Sequence, residues 1–205
     1  MVKVKICGIT NQEDALFCER AGANALGFIF FERSKRYIEP GDARDIIRRL
    51  SPLTVKAGVF VNHTEDEIRR ISALTGITAI QLHGDEVEGF LEDSPLPLIR
   101  AYRIKDASDF SKWNYPQRLT PLFDTHSDIS YGGTGIPFRH EDIPSELRSR
   151  SIIAGGISAE NFEGVLKLKP MGVDLVSSLE STPGKKDFLK VQQFFTKLYQ
   201  YQVQQ

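Results

Sequence analysis

Short apolar segments rich in β-branched and aromatic residues alternate in this chain with segments of helical periodicity. Strands that alternate with crossover helices form right-handed βαβ units, and such units place successive strands parallel to one another in one sheet. Eight strands are predicted, at residues 2–7, 25–30, 55–61, 79–82, 98–102, 119–124, 151–154 and 173–176. The pattern limits the fold to a closed (β/α)8 barrel or an open, doubly wound sheet.

Helices are predicted between these strands and after the last one, at residues 13–21, 42–50, 65–75, 85–91, 106–112, 144–148, 160–168 and 188–201. Asn11, Thr64 and Ser158 precede three of them as N-cap residues, and Glu67 follows Thr64 in capping-box register. The fifth and sixth crossovers are short or poorly patterned. We therefore expect abbreviated helices there.

The distribution of glycine-containing turns favours the barrel, because an open sheet usually carries a single Gly-rich turn after its first strand. Such turns follow several strands in this chain and contain Gly8, Gly84, Gly132-Gly133, Gly155-Gly156 and Gly184. A ring of loops at one mouth of a barrel accounts for that spread better. A chain of 205 residues fills one core and hardly two, so we predict a single-domain (β/α)8 TIM barrel over residues 1–205.

Composition argues against nucleic-acid, membrane and zinc-binding proteins. The chain has 26 basic and 27 acidic residues and a net charge of -1, so it carries no excess charge that would attract nucleic acid or anionic lipid. No uninterrupted apolar run approaches the ~20 residues that a membrane span needs. Cys7 and Cys18 have no clustered histidines, which indicates neither a disulfide framework nor a metal site. A cytoplasmic protein is expected.

Two ionisable residues stand at predicted strand ends. Cys7 shares a strand face with Lys3 and Lys5, and at the mouth of a barrel it is a candidate base or nucleophile, although a lone cysteine often serves only in packing. Asp124 ends the sixth strand, three strands away in an eight-stranded ring, so it should face Cys7 across the opening. One of the pair can donate a proton while the other removes one. An aspartate at a strand end can also belong to a turn or helix cap.

Candidate binding residues follow other strands. Gly155 and Gly156 come after the seventh strand and Ser177 and Ser178 after the eighth, where barrels frequently bind a phosphate group. The alternative for the glycines is a tight turn without a ligand.

Two further side chains are candidates for contact with a substrate. Arg36 can bind a carboxylate in bidentate fashion, or it lies in an ordinary solvated loop. His83 can hydrogen-bond a substrate or serve the structure.

These residues belong to a set of motifs that runs in order through nearly the whole chain: Lys5-Ile6-Cys7-Gly8-Ile9-Thr10, Ser34-Lys35-Arg36-Tyr37-Ile38, Gln81-Leu82-His83-Gly84, Phe123-Asp124-Thr125, Tyr131-Gly132-Gly133-Thr134-Gly135, Ala154-Gly155-Gly156 and Pro183-Gly184-Lys185-Lys186-Asp187. The set resembles the phosphoribosylanthranilate isomerases of tryptophan biosynthesis. The resemblance implies a (β/α)8 barrel without a cofactor and a phosphorylated small-molecule substrate. It also implies that Cys7 is the general base, that Asp124 is the general acid and that Arg36 binds the anthranilate carboxylate.

The chemistry of an aldose-to-ketose shift agrees with this resemblance, because one acid and one base suffice for it. A related sugar isomerase of histidine biosynthesis is the second enzyme hypothesis, but it is expected to carry an aspartate where Cys7 stands. The remaining alternative is a catalytically silent barrel that binds a phosphorylated ligand. The chain is expected to be a monomer or a homodimer.

Departures from the family pattern affect two loops. Val176 replaces a polar residue and Ser178 replaces a glycine, and a Phe-Asp-Trp segment is replaced by Phe138-Arg139-His140. We predict that Ser178 keeps a negative φ and that its hydroxyl takes part in binding the phosphate.

The pairing of the last strand with the first leads to one further prediction. Asp174 should form an ion pair inside the barrel with Lys3 or Lys5.

Overall fold

Eight parallel strands close into a barrel in the computed structural model, which describes residues 2–87, 89–112, 115–125 and 139–204. The strands follow chain order around the ring: β1 Lys3–Ile6, β2 Ala25–Ile29, β3 Val55–Phe60, β4 Ala79–Leu82, β5 Leu98–Ile104, β6 Leu119–Thr125, β7 Ile152–Ala154 and β8 Gly172–Leu175. β8 pairs with β1, with Asp174 opposite Lys5, and this pairing completes the ring. The predicted barrel is confirmed, and each predicted strand boundary lies within two residues of the observed one.

Within the described residues, six α-helices accompany the strands: α1 Gln12–Ala21, α2 Pro40–Ile47, α3 Glu65–Thr75, α4 Ser145–Arg148, α5 Phe162–Leu166 and α6 Phe188–Val203. Short 3-10 helices occupy Ala107–Lys112, His140–Asp142 and Ser177–Leu179. An antiparallel hairpin of β9 (Glu180–Thr182) and β10 (Lys185–Lys186) follows the barrel. These assignments confirm the abbreviated fifth and sixth crossovers.

Local capping explains where several helices begin. The Asn11 side chain accepts a hydrogen bond from the N–H of Asp14, and Thr64 and Glu67 form the predicted capping box. The prediction for Ser158 is wrong. α5 begins later, behind Asn161, because the Ser158 hydroxyl accepts from the N–H of Glu160 in a local turn.

The predicted helix at residues 85–91 is also wrong, since none of its described residues is helical. Tertiary contacts engage the backbone of this segment instead. The Glu86 carboxylate accepts from the N–H groups of Asn62 and Gly84, and the Arg100 guanidinium donates to the carbonyl oxygens of Glu86 and Val87. These long-range partners compete with helical hydrogen bonds and leave no trace in local periodicity.

The hydrophobic core has two layers. The larger layer lies between the outer faces of the strands and the helices and includes the fully buried Phe28, Phe60 and Phe194. The smaller layer fills the barrel interior: Ile99, Leu122, Ile152 and Ala154. Nearer the mouth the interior becomes polar, with Lys5, Gln81 and Asp174 all buried. Within the described ranges, no helix has the length and apolar character that crossing a bilayer requires.

Candidate active site

A cavity of about 290 Å³ opens at the carboxyl ends of the strands. It is lined by all eight residues that sequence reasoning selected: Cys7, Arg36, His83, Asp124, Gly155, Gly156, Ser177 and Ser178. Gln81 and Asp174, which were not selected as site residues, line it as well. The closed ring brings these side chains together, since every strand contributes its end to one mouth.

Cys7 lies directly after β1, with its N–H donating to the carbonyl oxygen of Leu175 at 2.9 Å. Its thiol occupies space beside Gly27 of β2, where a Cβ atom would lie 2.5 Å from Sγ. Burial raises the pKa of the Cys7 thiol, and the charges of Lys5 and Lys186 partly oppose this effect. Cys18 differs, because it is fully enclosed in the packing of α1 and burial raises its pKa to about 12.

Lys5 and Asp174 form an ion pair inside the barrel, with 2.8 Å between Nζ and Oδ2. This confirms the predicted pair and selects Lys5, because Lys3 is exposed. Burial alone would lower the pKa of Lys5, but Asp174 and Cys7 raise it above its usual value. Lys5 therefore keeps a positive charge next to the thiol.

Asp124 lies at the end of β6 across the cavity. His83 Nε2 is 3.5 Å from Asp124 Oδ2, and His83 Nδ1 is 3.0 Å from Nε2 of Gln81. The buried amide of Gln81 thus contacts the imidazole ring that neighbours the candidate acid.

Arg36 extends from the loop after β2, and its aliphatic stem packs against Gly8. A Cβ atom at Gly8, whose φ is +76°, would lie 2.6 Å from Cδ of Arg36. The guanidinium binds the Glu180 carboxylate through Nε at 2.9 and 3.0 Å and through Nη2 at 2.6 Å. Sequence reasoning did not select Glu180, although the specific motif at residues 183–187 lies just beyond it.

The glycine loop after β7 combines a tight turn with an open face. Gly155 and Gly156 have φ values of +88° and +65°, and a Cβ atom at Gly156 would meet nothing within 4 Å. The second observation means that a ligand can approach the backbone here. The positive φ values confirm a tight turn, and phosphate binding by this loop stays a prediction.

The structure corrects part of the prediction for Ser178, which concerned its φ angle and a role of its hydroxyl in phosphate binding. Its backbone stays outside the left-handed region, as expected. Its hydroxyl donates to the carbonyl oxygen of Ile157 at 2.5 Å, so this donor is engaged within the protein rather than available to an anion. The hydroxyl instead connects the loops that follow β7 and β8.

The loop after β6 is described only from residue 139 onwards, so the motif from Tyr131 to Gly135 and Phe138 lie outside the described residues. Arg139 is exposed, with Nη2 3.4 Å from Oδ1 of Asp142. Burial lowers the pKa of His140.

Comparison with known proteins gives a consistent result. The family model described as N-(5'phosphoribosyl)anthranilate (PRA) isomerase matches residues 4–197. An N-(5'-phosphoribosyl)anthranilate isomerase from Rubrobacter xylanophilus is 41% identical over 201 residues, which cover 95% of this chain and 97% of that protein.

Solved structures support the same relationship. The phosphoribosyl anthranilate isomerase of Thermotoga maritima superposes with a TM-score of 0.88 at 36% identity, covering 98% of this chain and 100% of that one. A phosphoribosyl anthranilate isomerase in complex with reduced 1-(o-carboxyphenylamino)-1-deoxyribulose 5-phosphate gives 0.83 at 31% identity, with the same coverage. A further structure concerns monomers of the dimeric Thermotoga maritima protein, with a TM-score of 0.84, 32% identity and the same coverage. In sequence and in fold, this chain belongs to the N-(5'-phosphoribosyl)anthranilate isomerase family.

Proposed function

We propose that this chain converts N-(5-phosphoribosyl)anthranilate to 1-(2-carboxyphenylamino)-1-deoxyribulose 5-phosphate in tryptophan biosynthesis. The observation that carries the proposal is the convergence of Cys7, Asp124 and Arg36 on one cavity in a chain of this family. The reaction needs a proton donor, a proton acceptor and a site for a carboxylate. These three side chains supply one of each.

The acid acts first in the proposed mechanism. Asp124, in its protonated form, gives a proton to the furanose ring oxygen, the bond between that oxygen and C1 breaks, and the anthranilate nitrogen forms an iminium with C1. The Cys7 thiolate then removes the proton from C2 to give an enolamine, which tautomerises to the ketose. The proton lost by Asp124 and the proton gained by Cys7 balance over this sequence.

Binding is assigned to the two ends of the substrate. Arg36 binds the anthranilate carboxylate through the guanidinium edge that Glu180 does not use. Backbone amides of Gly155, Gly156, Ser177 and Ser178 bind the phosphate, and the open side of Gly156 supports this assignment. His83 contacts the substrate beside Asp124.

The decisive measurement is the loss of anthranilate-substrate fluorescence with the purified chain. Cys7→Ala and Asp124→Asn should each lower kcat by roughly 10²- to 10⁴-fold, the usual contribution of a positioned acid or base. Cys18→Ala is the matched control and should keep kcat, because Cys18 lies outside the cavity. Near-normal kcat in either site variant would contradict the acid-base assignment. Binding of the reduced product analogue without turnover by the native chain would instead indicate a silent barrel.

The setting of the reaction completes the proposal. We expect the chain to act in the cytoplasm without a cofactor, as a monomer or a homodimer. Light scattering coupled to size-exclusion chromatography measures the mass directly. A larger assembly would contradict the expectation.

A further inference from the structure

The hairpin of β9 and β10 carries the most specific motif of the C-terminal region, yet none of its residues has a role in the mechanism above. Several hydrogen bonds fix the hairpin against the barrel. The Thr10 hydroxyl donates to the carbonyl oxygen of Gly184 at 2.5 Å, and the Lys186 N–H donates to Oδ2 of Asp14 at 2.7 Å. The hairpin is thereby held at the end of β1, beside Cys7.

Glu180 is the centre of this contact. Its side chain is only 4% exposed, and it accepts hydrogen bonds from Arg36, from the N–H of Gly184 at 3.2 Å and from Nζ of Lys186 at 3.0 Å. Burial alone would raise the pKa of Glu180, but Arg36 and Lys186 hold it below its usual value. The carboxylate is therefore ionised when it binds the guanidinium.

Among the described residues, the ammonium group of Lys186 has two partners, and the side chain is fully buried. Besides Glu180, its Nζ donates to the carbonyl oxygen of Cys7 at 2.7 Å. One ammonium group thus connects the backbone of the candidate base to the carboxylate that holds the candidate substrate anchor.

The charges of these groups are as informative as their geometry. Without Lys186, the charge of Glu180 would neutralise that of Arg36, and the attraction of Arg36 for a second carboxylate would be weaker. Lys186 adds a positive charge, so the three groups together carry one net positive charge. The Asp14 carboxylate contacts the backbone N–H of Lys186 rather than its ammonium group, and it shares Lys185 Nζ with the exposed Glu13, each at 3.1 Å.

We propose that Glu180 and Lys186 are positioning residues for the isomerisation, which hold the Arg36 guanidinium with one edge free and with a net positive charge for the substrate's carboxylate. An arginine has five N–H donors in a fixed plane, and Glu180 uses the edge formed by Nε and Nη2. Among the described residues, no hydrogen bond from Nη1 is formed, so the edge with Nη1 can make a second bidentate contact. Fixing the long side chain in advance removes the rotamer entropy that an unrestrained arginine would lose on binding. This inference rests on the proposed role of Arg36.

The test compares two probes: reduced 1-(2-carboxyphenylamino)-1-deoxyribulose 5-phosphate and the same compound without its ring carboxyl group. The ratio of their Kd values isolates the carboxylate contact from the rest of the site. Lys186→Met should reduce this ratio about tenfold, because it removes a charge that favours the carboxylate. Glu180→Gln should also reduce it about tenfold, because the guanidinium, no longer held by two carboxylate oxygens, loses more through its orientation than it gains from the removal of the negative charge. In turnover they should raise KM much more than they lower kcat, because the carboxylate keeps its charge during the reaction.

Lys185→Met is the matched control, because it removes a lysine from the same hairpin without touching Glu180 or Cys7. It should leave the ratio unchanged. Equal losses in Lys185→Met and Lys186→Met, or equal weakening of both probes, would mean that the hairpin only supports the fold and would overturn the inference. If Glu180→Gln does not fold, Glu180→Asp tests the positioning role instead, because it keeps the negative charge but shortens the side chain. An unchanged ratio of the two Kd values in Glu180→Asp would also overturn the inference.

Arg36→Met separates this inference from the proposed function. If that variant keeps the full preference for the carboxylated probe, the role proposed for Arg36 itself is wrong. If Arg36→Met abolishes the preference while Glu180→Gln and Lys186→Met retain it, the role of Arg36 stands and only the positioning inference fails.

Discussion

Single residues set how closely the proposed catalytic groups can approach the barrel wall. Gly27 in β2 lies next to the thiol of Cys7, and the absence of a side chain at Gly27 leaves the space that the thiol occupies. A glycine inside a strand often marks such a close approach. Gly27 lies inside a predicted strand rather than in a turn, so its position was a signal in the sequence for this close contact.

Gly27→Ala should therefore displace the thiol and lower kcat, because the new methyl group would lie 2.5 Å from the present position of Sγ. We expect a loss of at least tenfold in kcat with the fold retained, since misplacing a reacting group by about 1 Å can cost two orders of magnitude. Gly41→Ala in α2 is the control, because nothing lies within 4 Å of its added Cβ. Steady-state kinetics measures kcat, and circular dichroism shows whether the fold is retained. An unaffected kcat in Gly27→Ala would argue against a role for the thiol.

The ionisation of Cys7 gives a second expectation at this scale. Burial raises the pKa of the thiol, so kcat/KM should increase as the pH rises through the thiol pKa of the free enzyme. Lys5→Met should shift this increase to higher pH, because the Lys5 charge lowers the Cys7 pKa. Rates of alkylation by iodoacetamide as a function of pH report the same pKa without turnover. A shift to lower pH would contradict the assignment.

At the scale of elements, a substitution of the residue after the hairpin can distinguish an effect on stability from an effect on substrate binding. Asp187 is the N-cap of α6, and its side chain accepts from the N–H groups of Leu189 and Lys190 at 3.0 and 3.2 Å. Asp187→Ala should destabilise the protein by about 1 kcal/mol, the usual cost of losing an N-cap. Urea denaturation measures this, with Asp187→Asn, which can still cap, as the control. The carboxylate-probe ratio should not change, and a tenfold fall would show that α6 itself positions Arg36.

The elements also show what a single sequence can and cannot predict. The strands were located within two residues because a buried parallel strand is a short apolar run between turn signals. The prediction of a helix at residues 85–91 was wrong because the conformation of this segment depends on its hydrogen bonds with Asn62 and Arg100, which are distant in sequence. Glu180 and Lys186 escaped selection for the same reason. Their partners, Arg36 and Cys7, lie 144 and 179 residues away.

At the scale of the whole molecule, the Lys5–Asp174 pair spans the joint between the first and last strands of the barrel. Lys5→Met should destabilise the protein by about 3–5 kcal/mol, because it leaves the Asp174 charge buried without its partner. The double variant Lys5→Met/Asp174→Leu should recover much of this loss, since apolar side chains of similar volume can replace a buried ion pair. Urea denaturation of both variants gives the comparison. A double variant as unstable as the single one would mean that the pair contributes more than mutual charge compensation.

The contact between the Cys7 carbonyl oxygen and Lys186 has a consequence for biosynthesis, because it joins residues 179 positions apart. A ribosome adds about 5–20 residues per second, so on the order of ten to forty seconds separate the synthesis of these two residues. During that interval the nascent chain holds its thiol without the ammonium group that later fixes the adjoining peptide. Catalytic competence would then arise late in translation and nearly at once, with the emergence of the final hairpin, and prematurely terminated chains would be inactive even when most of their strands had been made.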